Sequence, residues 1–304
     1  MTDFTIDLQH IGRDRYVACH VLNTAPGPVL VDCGPASTLD TLRSGLAEHG
    51  LRVRDLHAVF LTHIHFDHAG AIGRLVEEQP ELTVYVHARG APHLSDPSKL
   101  IASATQIFGD RMDFLWGQMA PTPADRLHVL HGGEMISLGA RRFEVLYTPG
   151  HAVHHVVYLE RATDTAYVGD IGGIRAPLLP YPLPVTPPPD FNLELWLASL
   201  ERIEAWGPQR LFSTHFGFSD DPTTHLELLR RGLHDWTATA QRLLSEPGTD
   251  PTRAAAFAQY VIDSLAGKAS AQAIATTAAS SDYGASWYGI ARYLRKKAET
   301  AAST

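Results

Sequence analysis

Residues 62–68 read Thr62-His63-Ile64-His65-Phe66-Asp67-His68 and directly follow an apolar run over 56–61. Four side chains able to ligate a metal, His63, His65, Asp67 and His68, therefore sit on one short turn. While the chain is still extended, residues two apart share a face, so His63 and His65 point the same way. Asp67 and His68 come where the chain bends, and they can turn toward a second ion. Packing this many imidazoles together serves no hydrophobic purpose, and a buried histidine cluster without a metal is costly. Divalent ions take neutral imidazole and carboxylate readily. Three further candidates each follow a strand-like run: His151 after Thr148-Pro149-Gly150, Asp170 after Val168-Gly169, and His215 after Ser213-Thr214. Ligands at the ends of several strands can converge on one rim of a β-layered fold, though spacing alone does not establish that they do.

The elements that must position these residues are legible as short runs rich in Val, Leu and Tyr, bounded by Gly, Pro or Asp. Strands are expected over 15–23, 28–32, 56–61, 82–87, 127–130, 142–147, 155–159, 165–169 and 209–213, with Pro26-Gly27 turning between the first two. Helices interleave. One is expected over 38–49 with Ser37 as N-cap, and one over 69–78 with Ile72, Leu75 and Val76 on a single face. A third, over 192–206, aligns Leu193, Trp196, Leu197, Leu200, Ile203 and Trp206 and ends at Gly207-Pro208. Both tryptophans read as core. Residues 88–126 interrupt the strand pattern as a helical insertion. Residues 176–190 are too rich in proline for helix or central strand and read as an extended loop. Strand signals stop near Asp221-Pro222. The expected organisation is a domain over 1–221 and a C-terminal helical region over 222–304. Asp221-Pro222 and Asp250-Pro251 both read as N-cap followed by Pro, and Leu226, Leu229, Leu233, Trp236, Ala240 and Leu243 make one apolar stripe.

Composition narrows the function. The chain has 304 residues, 44% apolar and 19% charged, which is globular rather than disordered. A formal net charge of −8 repels phosphate backbones, so no nucleic-acid partner is expected. Two cysteines, Cys19 and Cys33, exclude a disulfide scaffold and a four-cysteine zinc module. No signal peptide and no membrane span are read, and a cytoplasmic location is expected.

The segments VDCGP (31–35), THIHFDH (62–68), YTPGH (147–151), VGD (168–170) and STHFG (213–217) together resemble the metallo-β-lactamase-fold hydrolases, in the family's order and over about residues 15–217. The resemblance implies an α/β fold, an αββα four-layer sandwich, with the C-terminal helices added outside it. It implies a dinuclear ligand set of the glyoxalase II or lactonase kind. His63, His65 and His151 would hold the first metal; Asp67, His68 and His215 the second; Asp170 would bridge them. Asp32 would orient the site without ligating. The cofactors expected are two divalent ions, zinc first, with iron and manganese as the other candidates.

Two features depart from or qualify the pattern. Many hydrolytic members read TPGHTxGH, whereas this chain has His151-Ala152-Val153-His154-His155. His155 matches the second histidine and His154 replaces a glycine, either lining the pocket or serving as a hydrogen-bonded strand residue. His65 stands where flavin-linked diiron oxidoreductases of the superfamily carry glutamate, which argues against their oxygen-reducing role. The remaining histidines, His10, His20 and His225 among them, read as surface or satisfied residues. Cys33 reads as a buried, inert thiol.

Two divalent ions roughly 3.5–4 Å apart share a water and lower its pKa to about 7. The reaction implied is attack of that metal-bridging hydroxide on a carboxylic ester, lactone or thioester, with Asp67 as proton shuttle. The alternatives are a mononuclear-iron sulfur dioxygenase on the same ligands, a phosphodiesterase, and a non-catalytic binding protein, against which the intact ligand set weighs. Leu178, Leu179, Tyr181 and Phe191 would either give the proline-rich loop an apolar wall facing a small-molecule substrate or pack it on the sheet as a structural loop. The C-terminal helices are expected to pack near the site entrance and to offer a surface for a homodimer.

Overall fold

The computed structural model describes residues 2–175, 179, 181–280 and 283–302. Its contacts divide the chain into two compact units. The first comprises Met1–Tyr147, His154–Gly169 and Pro208–Asp220; the second comprises Thr148–Val153, Asp170–Gly207 and Asp221–Thr304.

The first unit contains every named strand: β1 (Phe4–Asp7), β2 (Ala18–Leu22), β3 (Val29–Val31), β4 (Ala58–Phe60), β5 (Thr83–His87), β6 (Leu127–Leu130), β7 (Met135–Leu138), β8 (Arg141–Tyr147), β9 (Val156–Glu160), β10 (Thr165–Tyr167), β11 (Arg210–Ser213) and β12 (Gly217–Ser219). They form two mixed sheets, ordered β1-β2-β3-β4-β5-β6 and β12-β11-β10-β9-β8-β7. In the first sheet β3, β4, β5 and β6 run parallel. In the second, β10 and β11 are the parallel pair.

Period two sorts the side chains. Val29, Val31, Ala58 and Phe60 join Phe143, Val145, Val156, Tyr158 and Phe212 in a core between the sheets. There Phe60 stacks on Tyr158 with ring centroids 4.6 Å apart. Their neighbours Leu30, Val59, Val84 and Val86 face the other way, into a second core with the helices. Strands buried on both faces read as continuous apolar runs, as β3 and β4 do. The helices are α1 (Leu39–Glu48), α2 (Phe66–Ala69), α3 (Ile72–Glu78), α4 (Ala91–Ser95), α5 (Ser98–Phe108) and α6 (Met112–Trp116). The last three fill the expected insertion.

Two local expectations are corrected here. The helix expected over 69–78 is broken, because the N–H of Ala71 bonds outward to the carbonyl of Gly34 at 2.9 Å. Ser37 caps nothing; its hydroxyl donates to the carbonyl of Leu115 at 2.8 Å.

The second unit carries α7 (Leu193–Trp206), α8 (Pro222–Ser245), α9 (Asp250–Ser264), α10 (Ala271–Ser280) and α11 (Tyr283–Ala302). Asn192 caps α7 and Gly207, left-handed, ends it. Asp221 caps α8 ahead of Pro222, as expected. The cap of α9 is Thr249, one residue earlier than expected, so Asp250 lies inside the first turn. The apolar stripe of α8 is buried, with Trp236 edge-on to Phe257 at 5.4 Å and to Tyr283 at 5.9 Å. The proline-rich segment docks within this unit: the Thr186 hydroxyl donates to the Ser286 carbonyl at 3.1 Å. Leu178 lies outside the described residues; Leu179 and Phe191 are buried. Among the described residues, no helix is long and apolar enough to cross a membrane.

Candidate metal centre

Asp32 follows β3 with a left-handed backbone, φ 52°, and its side chain is fully buried. Its carboxylate gathers three chain segments. Oδ1 accepts the N–H of Thr62 at 2.8 Å, beyond the end of β4. Oδ2 accepts the hydroxyls of Thr62 at 2.9 Å and of Thr214, beyond β11, at 2.6 Å. Oδ2 also takes Nδ1–H of His68 at 2.7 Å. A buried carboxylate is tolerated only when its lone pairs are satisfied, and here donors supply them.

The histidine motif spans the turn from β4 into α2. His63 Nδ1 lies 3.1 Å from the Thr62 hydroxyl, and its Nε2 lies 2.9 Å from Nδ1 of His65. His65 is the last extended residue before α2. Asp67 and His68 then occupy its first turn and face His215: Asp67 Oδ2 is 3.3 Å from His215 Nε2. One ligand atom each from Asp67, His68 and His215 lies within 4.8 Å of the others. His215 is held from behind, its Nδ1 donating to the Tyr16 carbonyl at 2.7 Å. His154, 8% exposed, accepts the Ile64 N–H at 3.5 Å, with its ring parallel to His63 at 6.1 Å.

In the second unit, His151 follows Gly150, whose φ of 138° suits glycine alone. A Cβ there would come within 2.3 Å of the Trp196 Cα, so the turn presses against the start of α7. His151 Nδ1 donates to the Val185 carbonyl at 2.9 Å, and its Nε2 lies 3.4 Å from Oδ2 of Asp170. The proline-rich loop thus contributes a backbone carbonyl behind a candidate ligand.

The donor set fits divalent ions. Carbonyls and the Asp32 carboxylate only accept, so the proton of His68, His151 and His215 sits on Nδ1. Each Nε2 then presents a lone pair, as metal-ligating histidines require. Asp67 and Asp170 add carboxylate oxygens beside those nitrogens. Cys33 lies outside the clustered donors; burial pushes its thiol above the ordinary range, and Sγ faces the His68 carbonyl at 3.4 Å. The oxygens that tie down the histidines, on Tyr16 and Val185, escaped sequence reasoning because every residue carries a carbonyl. Thr62 and Thr214 were legible only as neighbours of histidines.

Two facing mixed sheets, with oriented histidines and aspartates just past their strand ends, define the scaffold of a metal-dependent protein. The family model for the metallo-beta-lactamase superfamily matches residues 12–215, and the chain belongs to that superfamily of metallo-hydrolases. It is 29% identical over 165 residues to a metallo-beta-lactamase fold-containing protein of Sulfurisphaera tokodaii, covering 53% of this chain and 61% of that one. It is 28% identical over 165 residues to a hydroxyacylglutathione hydrolase of Salmonella paratyphi B, covering 53% of this chain and 50% of that one. The chain thus spans about half to three fifths of the length of these curated relatives. A crystal structure of a metallo-beta-lactamase family protein from Thermus thermophilus superposes with a TM-score of 0.67 at 22% identity, covering 93% of this chain and 89% of that one. The shared fold is the metallo-β-lactamase fold, here with a C-terminal helical region.

Proposed function

We propose that the protein is a metal-dependent hydrolase of carboxylic thioesters, esters or lactones, with a small-molecule substrate. His63, His65 and His151 would hold one divalent ion and Asp67, His68 and His215 the other, with Asp170 serving both. Zinc is the first assignment; iron and manganese suit the same donors. The observation that carries the reading is the cluster of Asp67, His68 and His215, with the far nitrogen of each ring tied to an oxygen. A ligating histidine commonly has its second ring nitrogen tied to an oxygen in this way, which leaves the other nitrogen's lone pair for the ion. The name of the Salmonella relative describes cleavage of an acylated glutathione, a thioester, and this favours the carbonyl substrates.

When bound, the ions supply a water made nucleophilic near neutral pH and a positive charge against the carbonyl oxygen. The chain's own residues do the rest. Asp32 keeps His68 in the ligating tautomer and holds Thr62 and Thr214 against it. Asp67, with a quarter of its side chain exposed, passes a proton to the leaving group. The net charge of −8 disfavours a phosphodiester substrate.

A panel of thioesters, lactones and phosphodiesters, assayed with and without chelator, tests the reading. Chelator-sensitive turnover of a thioester, ester or lactone is expected. Turnover of phosphodiesters alone, or oxygen uptake by a chain holding one iron, would overturn it.

A further inference from the structure

The loop between β1 and β2 holds three non-glycine residues with left-handed backbone: Gln9 (φ 47°), Ile11 (φ 53°) and Arg15 (φ 56°). Side chains disfavour that region, and β-branched isoleucine disfavours it most. Such strain persists only where the surroundings over-determine it, and it gathers at functional sites. The loop is tied at its base. The Asp7 carboxylate accepts the N–H groups of Gln9 at 3.1 Å and Arg15 at 2.7 Å, and Leu8 N–H donates to the Val17 carbonyl at 2.9 Å.

At the centre of this loop His10 is 2% exposed. Its Nε2–H donates to the Leu115 carbonyl of α6 at 2.6 Å, the same carbonyl that accepts from Ser37. Its ring stacks with Tyr16 (5.7 Å, 19° between planes) and with Trp116 (5.4 Å, 25°). With the proton on Nε2, Nδ1 is a buried acceptor that has no hydrogen-bond partner among the described residues. An unmet acceptor costs free energy that an apolar ring would avoid. What histidine offers in return is a flat ring and a donor toward α6, together.

The far end of the loop meets the metal ligands. The Tyr16 carbonyl orients His215, the Tyr16 ring meets the His215 ring edge-on at 6.2 Å, and Ala18 N–H donates to the Thr214 carbonyl at 2.8 Å. Trp116 also stacks on Phe66, the residue before Asp67, at 6.0 Å.

We infer that His10 is a positioning residue for the ion held by Asp67, His68 and His215. Anchored to α6 and stacked on Tyr16, it fixes the strained loop so that the Tyr16 carbonyl meets Nδ1 of His215. The insertion thereby sets the geometry of a ligand in the turn between β11 and β12. This rests on the two-ion reading proposed above.

Cobalt(II) titration of the full chain, followed by visible absorption and by metal-to-protein ratio, tests the inference. The wild type is expected to take up two ions. His10→Phe, which keeps a ring and loses the donor, should leave the first ion's affinity unchanged. It should weaken the second by about ten- to hundredfold, the loss typical when a ligand's supporting partner is removed. It should also alter the visible bands of the second ion. Tyr16→Leu, which keeps the carbonyl and loses the stacked ring, should show the same pattern and serves if the first variant fails to fold. Unchanged second-ion affinity in a folded variant would overturn the inference, as would equal weakening of both ions. A wild-type chain that takes up one ion would overturn the two-ion reading, and the inference with it.

Discussion

Nδ1 of His68 lies 2.7 Å from Oδ2 of Asp32, and both side chains are wholly removed from solvent. Asp32 also accepts from Thr62 and Thr214, so one carboxylate joins three segments and sets the tautomer of a candidate ligand. Removing it strands several donors in a dry interior. Asp32→Ala should therefore lower stability by about 3–5 kcal/mol. Asparagine tolerates the left-handed backbone but turns an NH2 group toward donors. Asp32→Asn should keep the fold and lose about ten- to hundredfold in metal affinity. Thermal melts and metal titrations of both variants check this; a fully metallated Asp32→Asn variant would contradict it.

Asp67 has a second duty under the proposed mechanism. Asp67→Ala should lose some affinity for the second ion, because His68 and His215 still grip it. Turnover per bound metal pair should fall further, by about a hundredfold or more, the usual value of a positioned proton donor. Activity normalised to metal content separates the two losses. Full turnover per bound pair would remove the shuttle role.

Gly150 is a packing constraint beside His151. A methyl group there meets backbone atoms of Trp196 at 2.3 and 2.4 Å, and the φ of 138° resists any side chain. Gly150→Ala should cost about 3 kcal/mol, and His151 should shift with the turn. A melting temperature equal to that of the wild type would contradict this.

Two buried histidines outside the metal site make stability depend on pH. His20 has its pKa lowered to about 4, chiefly by burial; Asp3 pulls it up and Arg141 and Arg210 push it further down. His225 is likewise lowered to about 4 by burial, against the opposing hydrogen bond to the Gly172 carbonyl. The unfolded chain, with histidines near 6.5, binds these protons first as pH falls. Stability is therefore intact above about pH 6.5 and lost as pH falls toward 4, at about 3 kcal/mol per histidine. His20→Gln should flatten the fall in melting temperature across that window; superimposable curves would contradict the assignment.

Most of the architecture was legible because Val29, Val59 and Val84 sit in runs apolar on both faces, and because glycine and proline mark the turns between them. The strands that escaped, β1, β7 and β12, are short edge strands with mixed polarity, such as Phe4-Thr5-Ile6-Asp7. The candidate ligands were legible from side-chain type alone. What orients them was not. The carbonyls of Tyr16, Val185 and Leu115 have no signature in sequence, so His10 read as an ordinary satisfied histidine, when one of its nitrogens anchors α6. On α11, Arg295 pairs with Asp250 and Lys297 with Glu194, contacts set by how α11 packs within its unit rather than by any charge pattern along the sequence.

Under the proposed mechanism, His63, His65, Asp67, His68, His151, Asp170 and His215 would hold a catalytic pair of ions. The most direct test is the metal content of protein purified without added metal, measured beside hydrolysis of an S-acylglutathione or a lactone. Two divalent ions per chain are expected, with turnover abolished by chelation and restored when metal is returned. A metal-free chain that hydrolyses these substrates undiminished, or a chain with a single iron that consumes oxygen, would contradict it.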